Sequence, residues 1–103
     1  MKDLKFDLEK MIELYGYDKL IESFLENKIS TEEFETSYRK KFLKENNDLT
    51  EDAFLLLDEL FVYVYGYTKD IELLKLYPDS HFTEEQLCES AAKTLQELRA
   101  LNE

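Results

Sequence analysis

The side chains able to do covalent chemistry in this sequence are few, and their spacing points away from catalysis. His81 is the only histidine and Cys88 the only cysteine. A nucleophilic triad needs a nucleophile, a base and an orienting acid that converge. His81 stands beside a helix cap without a serine, cysteine or aspartate at a spacing that suggests one, and reads as a loop residue. Cys88 follows Leu87 on the apolar side of a helix and reads as a small core residue. The carboxylate pairs Glu32/Glu33 and Glu84/Glu85 fall where helices begin, where negative charge is stabilising. Gly16 and Gly66 are the only glycines, so there is no phosphate-cradling loop. A di-iron bundle would require Glu-x-x-His on its helices, and that motif is absent. The expectation is therefore no enzyme, no metal and no cofactor.

Tyrosines and carboxylates offer a different chemistry, that of protein recognition. Tyrosine adds contact area at low entropic cost, and carboxylates add charge and hydrogen-bond acceptors. The two meet around residues 55–67, LLLDELFVYVYGY, the most apolar run in the chain, which holds three of the seven tyrosines. Asp58 and Glu59 sit inside it. Tyr63 falls off its apolar stripe, Tyr65 lies at its end, and Asp70 and Glu72 occupy the loop beyond. These six, Asp58, Glu59, Tyr63, Tyr65, Asp70 and Glu72, are the candidate binding residues.

Charge narrows the partner. The chain has 24 acids against 13 bases, a formal charge of -11. Between Glu45 and Glu89 there are 12 acids and only Lys69 and Lys75 as bases, a net of -10. Such a field repels nucleic-acid phosphates and anionic membranes and attracts basic protein surfaces. No apolar run approaches the ~20 residues that span a bilayer. The N-terminus MKDLKFDLEK carries no apolar signal segment. With one cysteine and no internal disulfide to make, a reducing, cytoplasmic setting is expected.

Positioning these residues requires helices. At 103 residues, 44% of them apolar and with two Gly and one Pro, the chain reads as one domain, 1–103, poor in turns. Leu4, Leu8, Met11, Ile12 and Tyr15 make an amphipathic stripe over 3–14. The stripe resumes out of phase after Gly16 as Tyr17, Leu20, Ile21, Phe24 and Leu25, so this part is either two helices or one kinked helix. Asp18 is available to cap the second piece, and Asn27 and Lys28 close it. Ser30-Thr31-Glu32-Glu33 is a capping box opening a helix whose ridge is Phe34, Tyr38 and Phe42. Arg39, Lys40, Lys41 and Lys44 suit its C-terminal dipole. A loop, Asn46-Asn47-Asp48, leads to Thr50 or Asp48 as the cap of the central helix.

The central stripe is Leu56, Leu57, Leu60, Phe61, Val64 and Tyr65, with Gly66 as a C-terminal stop. VYVYGY has strand propensity, but the preceding period favours helix. Residues 67–82 are the one long connection, holding a short helical turn of Ile71, Leu73, Leu74, Leu76 and Tyr77 packed on the bundle. Thr83 and Gln86 form a second capping box. Leu87, Ala91, Leu95, Leu98 and Leu101 supply the final stripe. Short connections make neighbours antiparallel, so the fold class is all-α, an antiparallel four-helix bundle.

Several of these segments together resemble a known family. LIESFLENKISTEEFETSY (Leu20–Tyr38), LLDELF (Leu56–Phe61), Tyr67, Asp70 and FTEEQLCESAAKTLQEL (Phe82–Leu98) occur in the order and spacing of the colicin D-type, or colicin-like, bacterial immunity proteins. The similarity covers about residues 17–101 and leaves Met1–Tyr15 outside. It implies a small four-helix bundle that binds a cognate ribonuclease toxin, often a tRNA-cleaving one, as self-protection in colicin or contact-dependent growth inhibition systems. It further implies an acidic surface that occupies the toxin's basic active site, with acids from the end of the central helix and the following loop. Asp70 matches the loop acid, whereas Tyr65 stands where the family has its helix-end acid. On charge alone, Asp58, Glu59 and Glu72 are placed to supply what Tyr65 lacks.

The expected function is thus an immunity protein in a 1:1 complex with a nuclease toxin domain, without direct contact to nucleic acid or membrane. An acidic helical adaptor for another basic protein is the alternative, and a small hydrolase would require a carboxylate pair in a cleft.

Overall fold

A computed structural model describes residues 16–101. The helix expected over 3–14, and with it the question of a kink at Gly16, lies outside the described residues. Within them the chain is an all-α bundle. Helix α1 covers 16–25, α2 Thr31–Glu45, α3 Glu51–Gly66, α4 Ile71–Leu76 and α5 Glu84–Leu101. The expected loop at Asn46-Asn47-Asp48 is instead one turn of 3-10 helix.

Local chemistry sets the helix ends. α1 stops at Asn27, whose φ of 62° is left-handed. Lys28 N–H donates to the Ser23 carbonyl at 2.8 Å, a Schellman closure in which asparagine takes the position glycine usually fills. Asp18 does not act as a cap: it lies within α1, and its carboxylate pairs with Arg99 at 3.0 Å. Both capping boxes form. Glu33 N–H donates to Ser30 Oγ at 3.1 Å and Ser30 N–H to Glu33 Oε1 at 3.4 Å. Thr83 and Gln86 make the equivalent pair at 2.9 and 3.1 Å. Thr50 caps α3, accepting from Ala53 N–H at 3.3 Å.

The four long helices bury one another in sequence. Tyr17, Ile21 and Phe24 of α1 meet Phe34, Tyr38 and Phe42 of α2, which meet Leu57, Leu60 and Val64 of α3 and Leu87, Ala91, Leu95 and Leu98 of α5. Phe24 stacks on Phe34 with ring centroids 4.2 Å apart. Phe42 contacts Phe61 at 4.9 Å and Phe54 at 5.7 Å, while Arg39 reaches Tyr65. Earlier α2 residues meeting later α3 residues makes that pair antiparallel. Glu59 pairing with Lys93 of α5, while Tyr63 later in α3 meets Phe82 just before α5, does the same for α3 and α5. Inside the core, the Tyr38 hydroxyl donates to the Leu57 carbonyl at 2.7 Å, and burial pushes its phenol well above the usual range. No helix among the described residues is long and apolar enough to cross a membrane.

Three expectations about packing change. Tyr65 and Leu101, assigned to core stripes, are exposed. The buried face of α3 is the narrower set Ala53, Leu57, Leu60 and Val64. α4 buries no residue: Leu73 and Leu74 are half-buried, while Ile71, Leu76 and Tyr77 are exposed. A helix of one and a half turns is too short to present a full apolar face and still connect its neighbours.

Gly66 has a different role from the one expected. It is the last residue of α3 and does not adopt positive φ, so it is no left-handed stop. A Cβ there would sit 2.5 Å from the Ser80 carbonyl oxygen and 2.8 Å from the Phe82 ring. The glycine permits a close backbone approach. Through it, residues 80–82 strap onto the end of α3, with Phe82 N–H donating to Gly66 O at 2.9 Å and Thr68 N–H to Phe82 O at 3.1 Å. Tyr67 and Phe82 form an isolated parallel bridge, which is all that the strand propensity of VYVYGY yields.

Candidate functional site

The six candidate residues fall in three places around α3 and α4. Glu59 and Tyr63 point toward α5. They line a shallow cleft of about 250 Å³ with Gln86, Glu89, Ser90 and Lys93. Tyr63 is half-buried because its ring lies against Phe82 at 4.4 Å. Glu59 stays exposed and pairs with Lys93 at 3.5 Å, a surface contact worth at most ~1 kcal/mol.

Asp58 and Tyr65 lie on the opposite flank, toward α2. Tyr65 is 68% exposed. Its ring is nonetheless held between Phe61, at 6.1 Å, and the Arg39 guanidinium, 5.6 Å from the ring centroid. Asp58 is half-buried, and its charge adds to the upward shift of the Tyr38 phenol, below that of burial and of Tyr17.

Asp70 and Glu72 form the third place, the exposed start of α4. Asp70 is the N-cap: its Oδ1 accepts from Glu72 N–H at 2.9 Å and Leu73 N–H at 3.4 Å. The same carboxylate therefore shapes the loop and contributes to its field. Aspartate and asparagine cap about equally well, so the two roles are separable by substitution.

The loop carrying α4 is anchored at both ends. The strap across Gly66 holds one end. At the other, Lys69 Nζ pairs with Glu32 at 2.8 Å. The Lys69 ammonium holds the Glu32 carboxyl below its ordinary value, with help from a backbone hydrogen bond, and Glu32 in turn raises the lysine. Thr31 Oγ1 donates to Glu84 Oε1, tying the start of α2 to the start of α5 beside this pair. Tyr67, between them, has its phenol raised by burial; Lys69 opposes the shift, and Glu32, Glu84 and Glu35 add to it. One of the two bases in the acidic segment is thus committed to an acid outside it. Two of the four cations near the end of α2 are also paired, Arg39 with Glu35 at 3.3 Å and Lys41 with Glu45 at 2.9 Å.

Catalytic and metal chemistry find little support in this geometry. Cys88 is partly buried against the core, and burial, then Glu84, pushes its thiol up, the wrong direction for a nucleophile. His81 sits in the loop, its ring 6.0 Å from Tyr77. Among the described residues no group of three or more His, Cys, Asp or Glu is placed to hold a metal ion.

Sequence reasoning missed one class of residue. Leu55 and Val62 on α3, and Ile71, Leu76 and Tyr77 at α4, are large apolar side chains left in solvent. The signal for the first two was present, since an α3 apolar on every side cannot bury all of it in a bundle.

No curated protein and no solved structure matches the chain. A family model described as bacterial self-protective colicin-like immunity matches residues 12–98, a span that takes in the core residues from Tyr17 to Leu98 and all six candidate residues, and the chain belongs to that family.

Proposed function

We propose that this immunity protein, whose family implies binding and neutralising a cognate toxin, acts on a nuclease, with a tRNA-cleaving enzyme the expected class. It binds one toxin domain in the cytoplasm and covers the basic region through which that domain holds RNA. It does so by occupancy, without catalysis. The observation that carries this reading is the segment Glu45–Glu89, with 12 acids and two bases. It supplies all of α3 and α4 and the first six residues of α5, so its charge is gathered at adjoining elements. A cleft that binds tRNA phosphates is necessarily basic, and opposite charge steers association toward ~10⁸ M⁻¹ s⁻¹ at low salt. Fast capture matters where free toxin is lethal.

The test is to express the toxin domain encoded by the adjoining reading frame and to follow tRNA cleavage while titrating this chain. Cleavage should stop at one equivalent. A toxin that is inhibited but does not cleave RNA would remove the nuclease assignment. A pair that does not associate would favour the acidic adaptor for another basic protein.

A further inference from the structure

The nuclease reading assigns no role to Leu55 and Val62, the outward aliphatic side chains of α3, and these, with Tyr65, carry an inference that rests on that reading. At 100° per residue, Leu55, Asp58, Val62 and Tyr65 follow one another along the side of α3 away from its buried set Ala53, Leu57, Leu60 and Val64. Leu55 is 59%, Val62 52% and Tyr65 68% exposed. Spacings of three, four and three make a continuous ridge, the pattern a helix shows when it lies in a partner's groove. The solvent side of a bundle helix is ordinarily polar. Here three large apolar side chains interrupt that side, with Glu51, Asp58 and Glu59 beside them.

Tyr65 is already arranged for contact. Phe61 and Arg39 flank its ring at 6.1 and 5.6 Å, so fixing it in a complex costs little rotamer entropy. Two occupants are conceivable, a second copy of this chain and a basic protein. Four side chains on one helix fall far short of the ~800 Å² per partner of a stable interface, and two chains of formal charge -11 repel. A positively charged partner is attracted instead, and the neighbouring acids widen the contact beyond the ridge.

We propose that the outward ridge of α3, Leu55, Val62 and Tyr65 around Asp58, is the apolar anchor of the complex, entering an apolar groove bordered by a cationic side chain on the basic toxin domain. The acids govern how fast the partners meet, and the ridge governs how long they stay together. Buried apolar and aromatic anchors set lifetime, while rim charges set encounter rate.

The experiment measures association and dissociation rates for the toxin domain of the adjoining reading frame, with the parent chain and with Leu55→Gln/Val62→Gln and Tyr65→Ala. Glutamine keeps helix propensity, and exposed sites should leave the thermal melt unchanged. Should the double variant melt early, Leu55→Gln alone carries the comparison. Each variant should dissociate roughly 30-fold faster or more, the hot-spot range, with association altered less than threefold. Unchanged dissociation with a tightly bound, inhibited toxin overturns the anchor and leaves the nuclease reading intact. Absence of binding by the parent chain overturns both. Sedimentation of the chain alone as a dimer that Leu55→Gln/Val62→Gln dissolves would show that the ridge covers itself, and also overturns the proposal.

Discussion

Gly66→Ala is the substitution whose sign separates local propensity from packing. Gly66 is helical without positive φ, so on propensity alone alanine would stabilise by ~1 kcal/mol. The surroundings oppose this. The new Cβ would meet the Ser80 carbonyl oxygen at 2.5 Å and the Phe82 ring at 2.8 Å. A backbone oxygen cannot swing aside as a side-chain tip can. Moving the strap strains Phe82 N–H to Gly66 O and Thr68 N–H to Phe82 O, at ~1 kcal/mol for each bond lost. Overpacking adds ~1–3 kcal/mol. Setting the propensity gain against these leaves a net loss of about 2–4 kcal/mol, or roughly 8–30 °C in Tm for a domain this size. Thermal melts by circular dichroism, backed by urea titration, measure it. A variant that melts with the parent or above it would refute the close approach as the reason for glycine, and with it the claim that this strap positions the α4 loop.

The other predictions probe the core, the Lys69 anchor and the thiol. Leu57→Ala, at a fully buried site, should cost about 2–5 kcal/mol in urea unfolding; a loss under 1 kcal/mol would remove α3 from the centre of the bundle. Glu32 should titrate below its ordinary 4.5 because of Lys69, and Lys69→Met should return it toward that value by NMR. A carboxyl lowered in the folded state contributes stability that is complete above the unfolded value and disappears as pH falls through the folded one, so this contribution is lost only in acid below about 4.5. Cys88, with its thiol raised by burial and Glu84, should alkylate with iodoacetamide at pH 8 several-fold more slowly than in urea.

How much of this was legible in the residues varies with the range of the interaction. The capping boxes at Ser30/Glu33 and Thr83/Gln86 could be read directly, because a cap involves side chains three residues apart and little else. The ridge Phe34, Tyr38, Phe42 was equally legible, since only one face of α2 is apolar. α3 was not. Its apolar residues surround the axis, so periodicity alone could not place Tyr65 outside and Tyr63 against Phe82; that choice was made by α2 and α5. Gly66 read as a stop because left-handed closure is the commonest reason for a glycine there. The actual reason is a carbonyl fourteen residues away in sequence, which no local pattern reveals. Asp70 was legible as an acid of the loop, but its cap on α4 depended on the short helix existing. The split of the six candidates into three places likewise follows from helix geometry, since Asp58 and Glu59 are neighbours in sequence yet lie 100° apart around α3.

The acidic face itself is tested most directly by the salt dependence of toxin association. Asp70→Asn/Glu72→Gln removes two charges while preserving the α4 cap, and Glu9→Gln/Glu13→Gln removes two from the N-terminal stretch outside the acidic segment. Both variants carry the same net charge, so a difference between them reports location. Stopped-flow association with the toxin domain, from low to physiological salt, should show a several-fold slower rate and a shallower salt slope for Asp70→Asn/Glu72→Gln, with Glu9→Gln/Glu13→Gln close to the parent. Equal rates and slopes for the two variants would contradict the placement of the face at the end of α3 and the start of α4.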